Sequence, residues 1–262
     1  MTAAPVALIA GSGALPAAVA AALAKTGHEV ILCRLEGQPG PAVLTFRLET
    51  LGTLIASLRA RGVTGICMAG AVTRPMIDPD AIDAATAPLV PRLRAALALG
   101  DDGALRTVIA LFEEAGFAVH AAHEIAPGLL APRGWRAGPG VIDAADLAAA
   151  HAGHADLSRG DVGQAVVVRA GRVVATEGPR GTDAMLASLG AGAAGGLLYK
   201  APKTGQDRRA DLPAIGPDTV RGAIRAGLSA IAVEAGGVFL LDRPTLEDRA
   251  RDASLTLRAV DP

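Results

Sequence analysis

The chain has 262 residues, of which 51% are hydrophobic and only 2% aromatic, so Ala, Val, Leu and Ile must fill one large or two ordinary α/β cores. The 25 basic and 26 acidic residues nearly cancel, and this balance, with few aromatic rings for stacking, argues against a nucleic-acid partner. We find no secretion signal and no apolar run long enough to span a bilayer. Cys33 and Cys67 each end an apolar run, as buried thiols do, and they predict a cytoplasmic address.

The first half of the chain alternates between short apolar runs and longer helical segments. Strands are predicted at residues 6–10, 28–33, 65–70 and 117–120. Helices are predicted at residues 14–26, 52–61, 89–99 and 103–115. Such alternation favours a parallel sheet with crossover helices, so we predict a Rossmann-like domain over residues 1–130.

The second half predicts a mixed sheet instead. A Pro- and Gly-rich segment at residues 131–142 is interpreted as a linker, and residues 143–262 as a C-terminal α/β catalytic domain. Helices are predicted at residues 143–157, after Gly181, near 218–226 and near the end, with hairpins at 164–178 and 229–242 and further strands at 197–201 and at the C-terminus.

The stretch LIAGSGALPA opens the first predicted helix with Gly11 and Gly13, but Pro16 stands at the third position of the dinucleotide-binding fingerprint. Backbone amides of such a turn can approach a phosphate. Arg34, which follows the second strand, could then contact a 2′-phosphate. The turn therefore leaves three interpretations open: a phosphate contact without redox chemistry, a purely conformational turn, and an NAD(P)-dependent oxidoreductase.

Three weaker features accompany the turn. Arg74 follows the third strand, where an arginine could clamp a phosphate. The acidic pair at residues 101–102 is explained by helix capping, or less readily by a divalent ion. Histidine pairs at residues 120/123 and 151/154 lack the cysteines or HExxH motif of zinc sites, and we expect the second pair on an exposed helix.

The most informative segment is KAPKTGQDRRADLPAIG, residues 200–216, in which lysines, arginines and aspartates crowd a stretch that prolines prevent from being helical. Basic side chains neutralise phosphate oxygens, while aspartates hold a hard cation or activate water. A solvated charge cluster is the alternative. No GxxxxGK[ST] motif is present, which argues against a P-loop nucleotidase.

Eight segments then match a known pattern in order: IAGSGALP, AGAVTRP, GDDGALR, AHE, DVGQ, GTDAML, KAPKTGQDRRADLPAIG and VEAGGVFLLDR. They resemble the LpxI family of UDP-2,3-diacylglucosamine pyrophosphatases nearly from end to end. The resemblance implies a cytoplasmic Gram-negative enzyme of lipid A biosynthesis that cleaves the pyrophosphate of UDP-2,3-diacylglucosamine to UMP and 2,3-diacylglucosamine 1-phosphate, with Mg²⁺ as cofactor. It also implies a Rossmann-like and a distinct α/β domain that hold the lipid-sugar between them, and it is compatible with peripheral contact with the inner face of the inner membrane and with a homodimer.

The resemblance carries roles onto particular residues. Asp211 matches the family's essential aspartate, as a metal ligand or as the group that activates water, and this choice stays open. The implied catalytic residues are Asp211, Asp207 and Lys200, and the implied metal ligands are Asp211, Asp207 and Glu177. The implied substrate-binding residues are Gly11, Gly13, Arg74, Asp101, Gln164, Thr182, Asp183, Lys203, Gln206 and Arg209.

The sequence also departs from the family pattern. Arg180 stands where the family often has Glu directly before GTD, although Glu177 precedes it by three positions. Ala214 and Thr204 replace a common Thr and a common Pro. Besides the oxidoreductase, a non-catalytic nucleotide-sugar binding protein is therefore kept as an alternative.

Overall fold

The computed structural model describes residues 3–72, 76–97, 100–160 and 162–262, and for residues 97 and 100–102 it describes the backbone alone. The chain forms two compact units. The first contains the chain up to Gly128 and also Asp207–Asp211, and the second contains Leu129–Gln206 and Leu212–Pro262. We call residues 200–216 the charged block. Within this block the chain passes from the second unit to the first at Asp207, and it returns to the second unit after Asp211.

The first unit is built on a parallel sheet with strand order β3-β2-β1-β4-β5. Its strands are β1 (Ala3–Ala10), β2 (His28–Leu35), β3 (Leu44–Phe46), β4 (Gly65–Ala69) and β5 (Ala118–His120). Its helices are α1 (Leu15–Lys25), α2 (Leu51–Ala60), α3 (Val90–Leu97), α4 (Gly100–Glu114) and α5 (Ala122–Ile125). The predicted Rossmann-like architecture is confirmed, and β3 is an additional short edge strand. The strand order reverses between β1 and β4, the point at which open α/β sheets place ligands.

Helix α4 is fixed on this sheet by its apolar side. Ile109 and Phe112 are each 1% exposed, and the Phe112 ring meets Phe117 edge to face with ring centroids 6.1 Å apart. Arg106 and Glu113 on the same helix are exposed. Helical periodicity therefore separates a buried apolar face of α4 from a charged face.

The second unit contains a mixed sheet with strand order β6-β13-β11-β9-β7-β8. Its strands, with the short pair β10 and β12, are β6 (Arg136–Ala137), β7 (Ala165–Arg169), β8 (Arg172–Thr176), β9 (Leu197–Lys200), β10 (Ala214–Ile215), β11 (Ala230–Glu234), β12 (Phe239–Leu240) and β13 (Thr256–Val260). Its helices are α6 (Ala144–Arg159), α7 (Gly181–Ala187), α8 (Pro217–Arg225) and α9 (Arg243–Asp252). β9, β11 and β13 run parallel, whereas β6, β7 and β8 introduce antiparallel pairs, so the predicted mixed sheet is confirmed.

One of the two predicted hairpins forms and the other does not. β7 pairs antiparallel with β8 through the turn at Ala170 and Gly171, both of which have positive φ. The hairpin predicted over residues 229–242 is wrong, because β11 lies between parallel neighbours β9 and β13, while β12 pairs with β10. β11 is almost wholly buried, so a central position in the sheet outweighs the local turn preference of Gly236 and Gly237.

The segment at residues 131–142, predicted as a linker, lies in the second unit. Trp135 is only 4% exposed, and its Nε1 donates a 2.7 Å hydrogen bond to Glu247. Strand β6 pairs with β13 at the sheet edge. Prolines and glycines here make turns that bury the chain's only tryptophan instead of leaving the segment extended.

Within the described ranges, no helix is both long and apolar enough to cross a membrane.

Candidate active site

The turn at Gly11-Ser12-Gly13 is joined to the residues that follow β4. Gly11 N donates to Ala69 O over 2.8 Å, and Ser12 and Ala71 exchange two backbone hydrogen bonds. A Cβ on Gly11 would overlap the Ala71 carbonyl, so this glycine permits a close backbone contact. Gly13 is exposed and has a φ of +89°, with nothing within 4 Å of the position a Cβ would take, so its glycine serves the turn conformation.

The Arg34 side chain stabilises this turn through hydrogen bonds to backbone carbonyls. Its Nη1 donates to Gly11 O over 2.7 Å and to Ala10 O over 3.3 Å, and its Nε donates to Pro41 O over 2.7 Å. The buried guanidinium thus ties the end of β1 to the loop after β2. Because its guanidinium is buried and bonded to backbone carbonyls, Arg34 no longer supports the interpretation as a 2′-phosphate ligand. The NAD(P)-dependent oxidoreductase alternative therefore loses the one charged residue proposed to bind its cofactor.

Two predicted substrate-binding side chains lie outside the described part of the structure. Arg74 lies outside the described residues. The backbone of Asp101 belongs to the first turn of α4, but its side chain is outside the description.

The second unit brings four predicted residues into one buried polar network. Lys200 Nζ donates to Thr182 Oγ1 over 2.7 Å, and the Thr182 hydroxyl donates to Glu177 Oε1 over 2.8 Å. Glu177 Oε2 accepts a 2.8 Å hydrogen bond from Gln164 N. Lys200, Thr182 and Glu177 are 8%, 6% and 8% exposed. Because charged and hydroxyl groups at this depth need partners, the network fixes each side chain with respect to the others.

Local sequence explains how these side chains meet. Gly163 leaves room for the Glu177 backbone, which a Cβ would meet at 2.7 Å. Gly181, with a φ of +80°, opens α7 and places Thr182 in its first turn. The neighbouring Asp183 is exposed, and so is Arg180. Glu177 therefore supplies a buried carboxylate to the GTD turn, whereas the Arg180 side chain is exposed to solvent.

The loop that follows Lys200 is anchored on two sides. Gln206 Oε1 accepts hydrogen bonds from Gln164 Nε2 and Lys203 N, both at 3.2 Å. Thr204 N donates to Ser158 Oγ over 2.6 Å. The predicted residues Gln164, Lys203 and Gln206 are thus brought together at the start of the charged block.

His154 also holds this loop, and sequence reasoning missed it. Its Nε2 lies 3.0 Å from Ala201 O, and since a carbonyl only accepts, this nitrogen carries the hydrogen. The expected exposure of the second histidine pair is wrong for His154, which is 7% exposed and packs edge-on against Tyr199. Burial lowers the pKa of His154. The signal available in the sequence was helical spacing, because Ala150, His154 and Ser158 lie four residues apart on one buried face of α6.

The remaining charged residues of the block belong to the first unit. Asp207 Oδ1 accepts from Arg209 N over 2.9 Å and from Nε over 3.1 Å, and Oδ2 accepts from Nη2 over 2.8 Å. Arg209 Nη1 donates to Glu113 Oε1 over 2.6 Å. The hydrogen bonds from Arg209, with the positive charge of Arg106 acting in the same direction, hold the pKa of Asp207 below its usual range. The Asp211 side chain is exposed, and its backbone N donates to Asp207 O over 3.3 Å.

The three predicted metal ligands are divided between the two units. Glu177 belongs to the second unit, whereas Asp207 and Asp211 belong to the first. Both oxygens of Asp207 accept from Arg209, and both oxygens of Glu177 accept from protein groups. Among the described residues, no three His, Cys, Asp or Glu side chains are grouped so as to hold a metal. The described side chains alone therefore supply no group of three such ligands, and magnesium commonly completes its coordination with substrate phosphates and waters.

Together, the fold and these clusters define a two-unit α/β protein that presents guanidinium, ammonium and carboxylate groups on ordered loops, as enzymes acting on phosphate groups do. Comparison with known families agrees with this class. Residues 5–129 match the model of the LpxI N-terminal domain, and residues 135–258 match that of the LpxI C-terminal domain. A relative from Caulobacter vibrioides, named UDP-2,3-diacylglucosamine pyrophosphatase LpxI, is 36% identical over 271 aligned positions, which cover 97% of each chain. The chain belongs to the LpxI family.

Proposed function

We propose that this chain hydrolyses the pyrophosphate bond of UDP-2,3-diacylglucosamine to UMP and 2,3-diacylglucosamine 1-phosphate, a step of lipid A biosynthesis. Membership of the LpxI family over nearly the whole chain is the observation that carries the proposal. The charged block supports it, because Lys200, Lys203 and Arg209 supply positive charge and Asp211 an exposed carboxylate.

The two aspartates of the block take different parts in this proposal. The carboxylate of Asp207 is committed to Arg209, and its lowered pKa makes it a poor proton acceptor. Asp211 is exposed, so we assign to it the activation of the attacking water, with Arg209 of the same segment neutralising charge on the phosphoryl oxygens. Lys200 and Thr182 lie in the buried network, from which they support the loop that carries Lys203 and Gln206.

We also propose that hydrolysis requires a divalent cation, with Mg²⁺ the first choice. Magnesium commonly takes one or two carboxylates plus substrate phosphates and waters. Because the described side chains do not supply a full set of ligands, the diphosphate of the substrate would have to provide oxygens for the ion. Asp211 is the carboxylate we expect to complete the coordination.

The test is release of UMP from UDP-2,3-diacylglucosamine by the purified protein, with Mg²⁺ and with EDTA. We expect Asp211→Asn to reduce kcat by a factor on the order of 10³, the typical effect of losing a general base. The matched control is Asp218→Asn, which removes an exposed aspartate paired with Arg221 on α8 and should leave turnover unchanged. Binding of the substrate without turnover by folded wild-type protein would reject hydrolysis in favour of a nucleotide-sugar binding protein.

Two further predictions concern membrane contact and oligomeric state. Because the substrate carries two acyl chains, we expect this cytoplasmic enzyme to make peripheral contact with the inner face of the inner membrane, and flotation with phospholipid vesicles tests this expectation. The homodimer also stays a prediction, which sedimentation of the purified chain will decide.

A further inference from the structure

Helix α4 presents two opposite charges toward the segment Asp207–Asp211 of the same unit. Arg106 and Glu113 are seven residues apart, which is about two helical turns, so they share one face of the helix. The buried residues Leu111 and Phe112 hold α4 on the sheet core. The charged face is therefore carried by a rigid element.

The charges on the helix and on the segment alternate in sign. Arg106 acts electrostatically on Asp207, Asp207 accepts two side-chain hydrogen bonds from Arg209, and Arg209 donates to Glu113. The other contacts of the segment include backbone hydrogen bonds within it and one between the Arg208 backbone and His123 of α5. Glu113 thus links the guanidinium of Arg209 directly to α4.

Asp207 and Glu113 together hold the orientation of this guanidinium. An arginine side chain carries five N–H groups in a planar fork. Nε and one N–H of Nη2 serve Asp207, and one N–H of Nη1 serves Glu113. With carboxylates on two edges, the fork is held in one plane, and its two remaining N–H groups have no partner among the described residues. Such a pair is the donor arrangement that phosphate oxygens accept.

We propose that Glu113 is a positioning residue for phosphate binding by Arg209, and that it keeps Asp207–Asp211 docked on α4. This inference rests on the proposed hydrolysis for its kinetic consequence, but the docking itself is independent of any substrate. The side chains of Arg209 and Glu113 are 37% and 46% exposed, so their pairing contributes little to global stability and acts locally.

The experiment compares Glu113→Gln with Glu114→Gln in the full chain. Glu114 is the next residue of the same helix and pairs with Arg92 of α3 over 2.9 Å, so it is a matched ion pair that does not involve the segment. Hydrogen exchange of the amides at residues 209–211 should accelerate about two- to fivefold in Glu113→Gln, as expected for loss of an exposed ion pair, and should be unchanged in Glu114→Gln. We also expect kcat/KM to fall roughly tenfold in Glu113→Gln alone, mainly through KM, and Glu113→Asp to restore part of it.

Unchanged exchange at residues 209–211 in a folded Glu113→Gln protein overturns the inference, and so does an equal kcat/KM in the two glutamine variants. If the wild-type protein releases no UMP, the proposed function fails, while the exchange comparison still decides whether Glu113 docks the segment. Arg209→Gln breaks the same pair from the other side, and it replaces Glu113→Gln in the exchange measurement should that variant not fold.

Discussion

The two charged clusters of this protein differ in how deeply they are buried. In the second unit, Lys200, Thr182 and Glu177 are each less than a tenth exposed and satisfy one another's hydrogen bonds. In the first unit, Arg209 and Glu113 are more than a third exposed. A buried network is costly to break because each orphaned group stays desolvated, whereas an exposed ion pair rearranges at little cost. The comparison suggests that the second-unit cluster supports structure and that the first-unit cluster is free to exchange partners with a ligand.

The largest expected effect follows from breaking the buried network. Glu177→Ala removes the acceptor of Gln164 N and of the Thr182 hydroxyl, and it leaves Lys200 without the carboxylate behind Thr182. We expect the free energy of unfolding to fall by about 3 kcal/mol, since the buried Thr182 hydroxyl and the half-buried Gln164 N–H lose their acceptor at once. Urea unfolding followed by circular dichroism measures the change.

The control for Glu177→Ala is Asp156→Ala on α6, which removes an exposed carboxylate paired with Arg159. We expect that variant to remain within about 0.5 kcal/mol of wild type. Equal losses in the two variants would contradict the structural role assigned to the buried cluster.

Sequence patterns predicted the secondary structure and the parallel sheet well, because periodicity and turn residues act locally. The conformations of the glycine turn and of the β7–β8 hairpin follow from the residues that form them. Partners distant in sequence were less accessible: no local pattern shows that Arg34 would bind the Gly11 carbonyl, or that β11 would pair with β13 instead of β12. Burial in a shared core decides such pairings.

The charged block shows this limit most clearly. It reads as one loop in the sequence, yet its start at Lys200 belongs to the second unit and Asp207–Asp211 to the first. Composition identified the residue types suited to phosphate chemistry. The pairing of Arg209 with Glu113 depends on the position of α4, which the spacing of charges within the block does not encode.

We expect an intermediate effect on the pH dependence of stability, which arises from the buried His154 of the second unit. Burial lowers the pKa of His154, and the charge of His151 acts in the same direction while Glu177 opposes it. The unfolded chain therefore binds a proton that the folded unit resists. The stability that neutral His154 contributes is fully present above about pH 6.5 and is lost as pH falls toward the lower folded pKa.

The measurement is the free energy of unfolding between pH 7.5 and 5. One proton can contribute a slope of up to about 1.4 kcal/mol per pH unit, and His154→Leu should remove its share of the slope. His120→Gln changes an exposed histidine and serves as the control. The absolute stability of His154→Leu will also fall because Ala201 O loses its donor, so the slope decides the result. An unchanged slope would show that His154 titrates alike in both states.

The smallest expected effect is on the pKa of Asp207, and it tests the exposed cluster of the first unit. Hydrogen bonds from Arg209 lower the pKa of this carboxyl, so the ionised form is favoured in the folded state. Its contribution to stability is present above the pKa of the unfolded chain, about 3.9, and disappears as pH falls through the lower pKa of the folded state.

In a ¹³C NMR titration of the aspartate carboxyls, Arg209→Gln should move the Asp207 midpoint upward, whereas Arg221→Gln, which breaks the exposed pair with Asp218, should leave it in place. Glu113→Gln should move the midpoint much less than Arg209→Gln does, because Glu113 orients Arg209 without contacting Asp207 in the hydrogen bonds that hold the pair. If the Asp207 midpoint were the same in Arg209→Gln and in the wild type, the exposed cluster would be too mobile to prepare Asp207–Asp211 for a ligand. The two clusters would then differ in how well their side chains are ordered, and not only in how deeply they are buried.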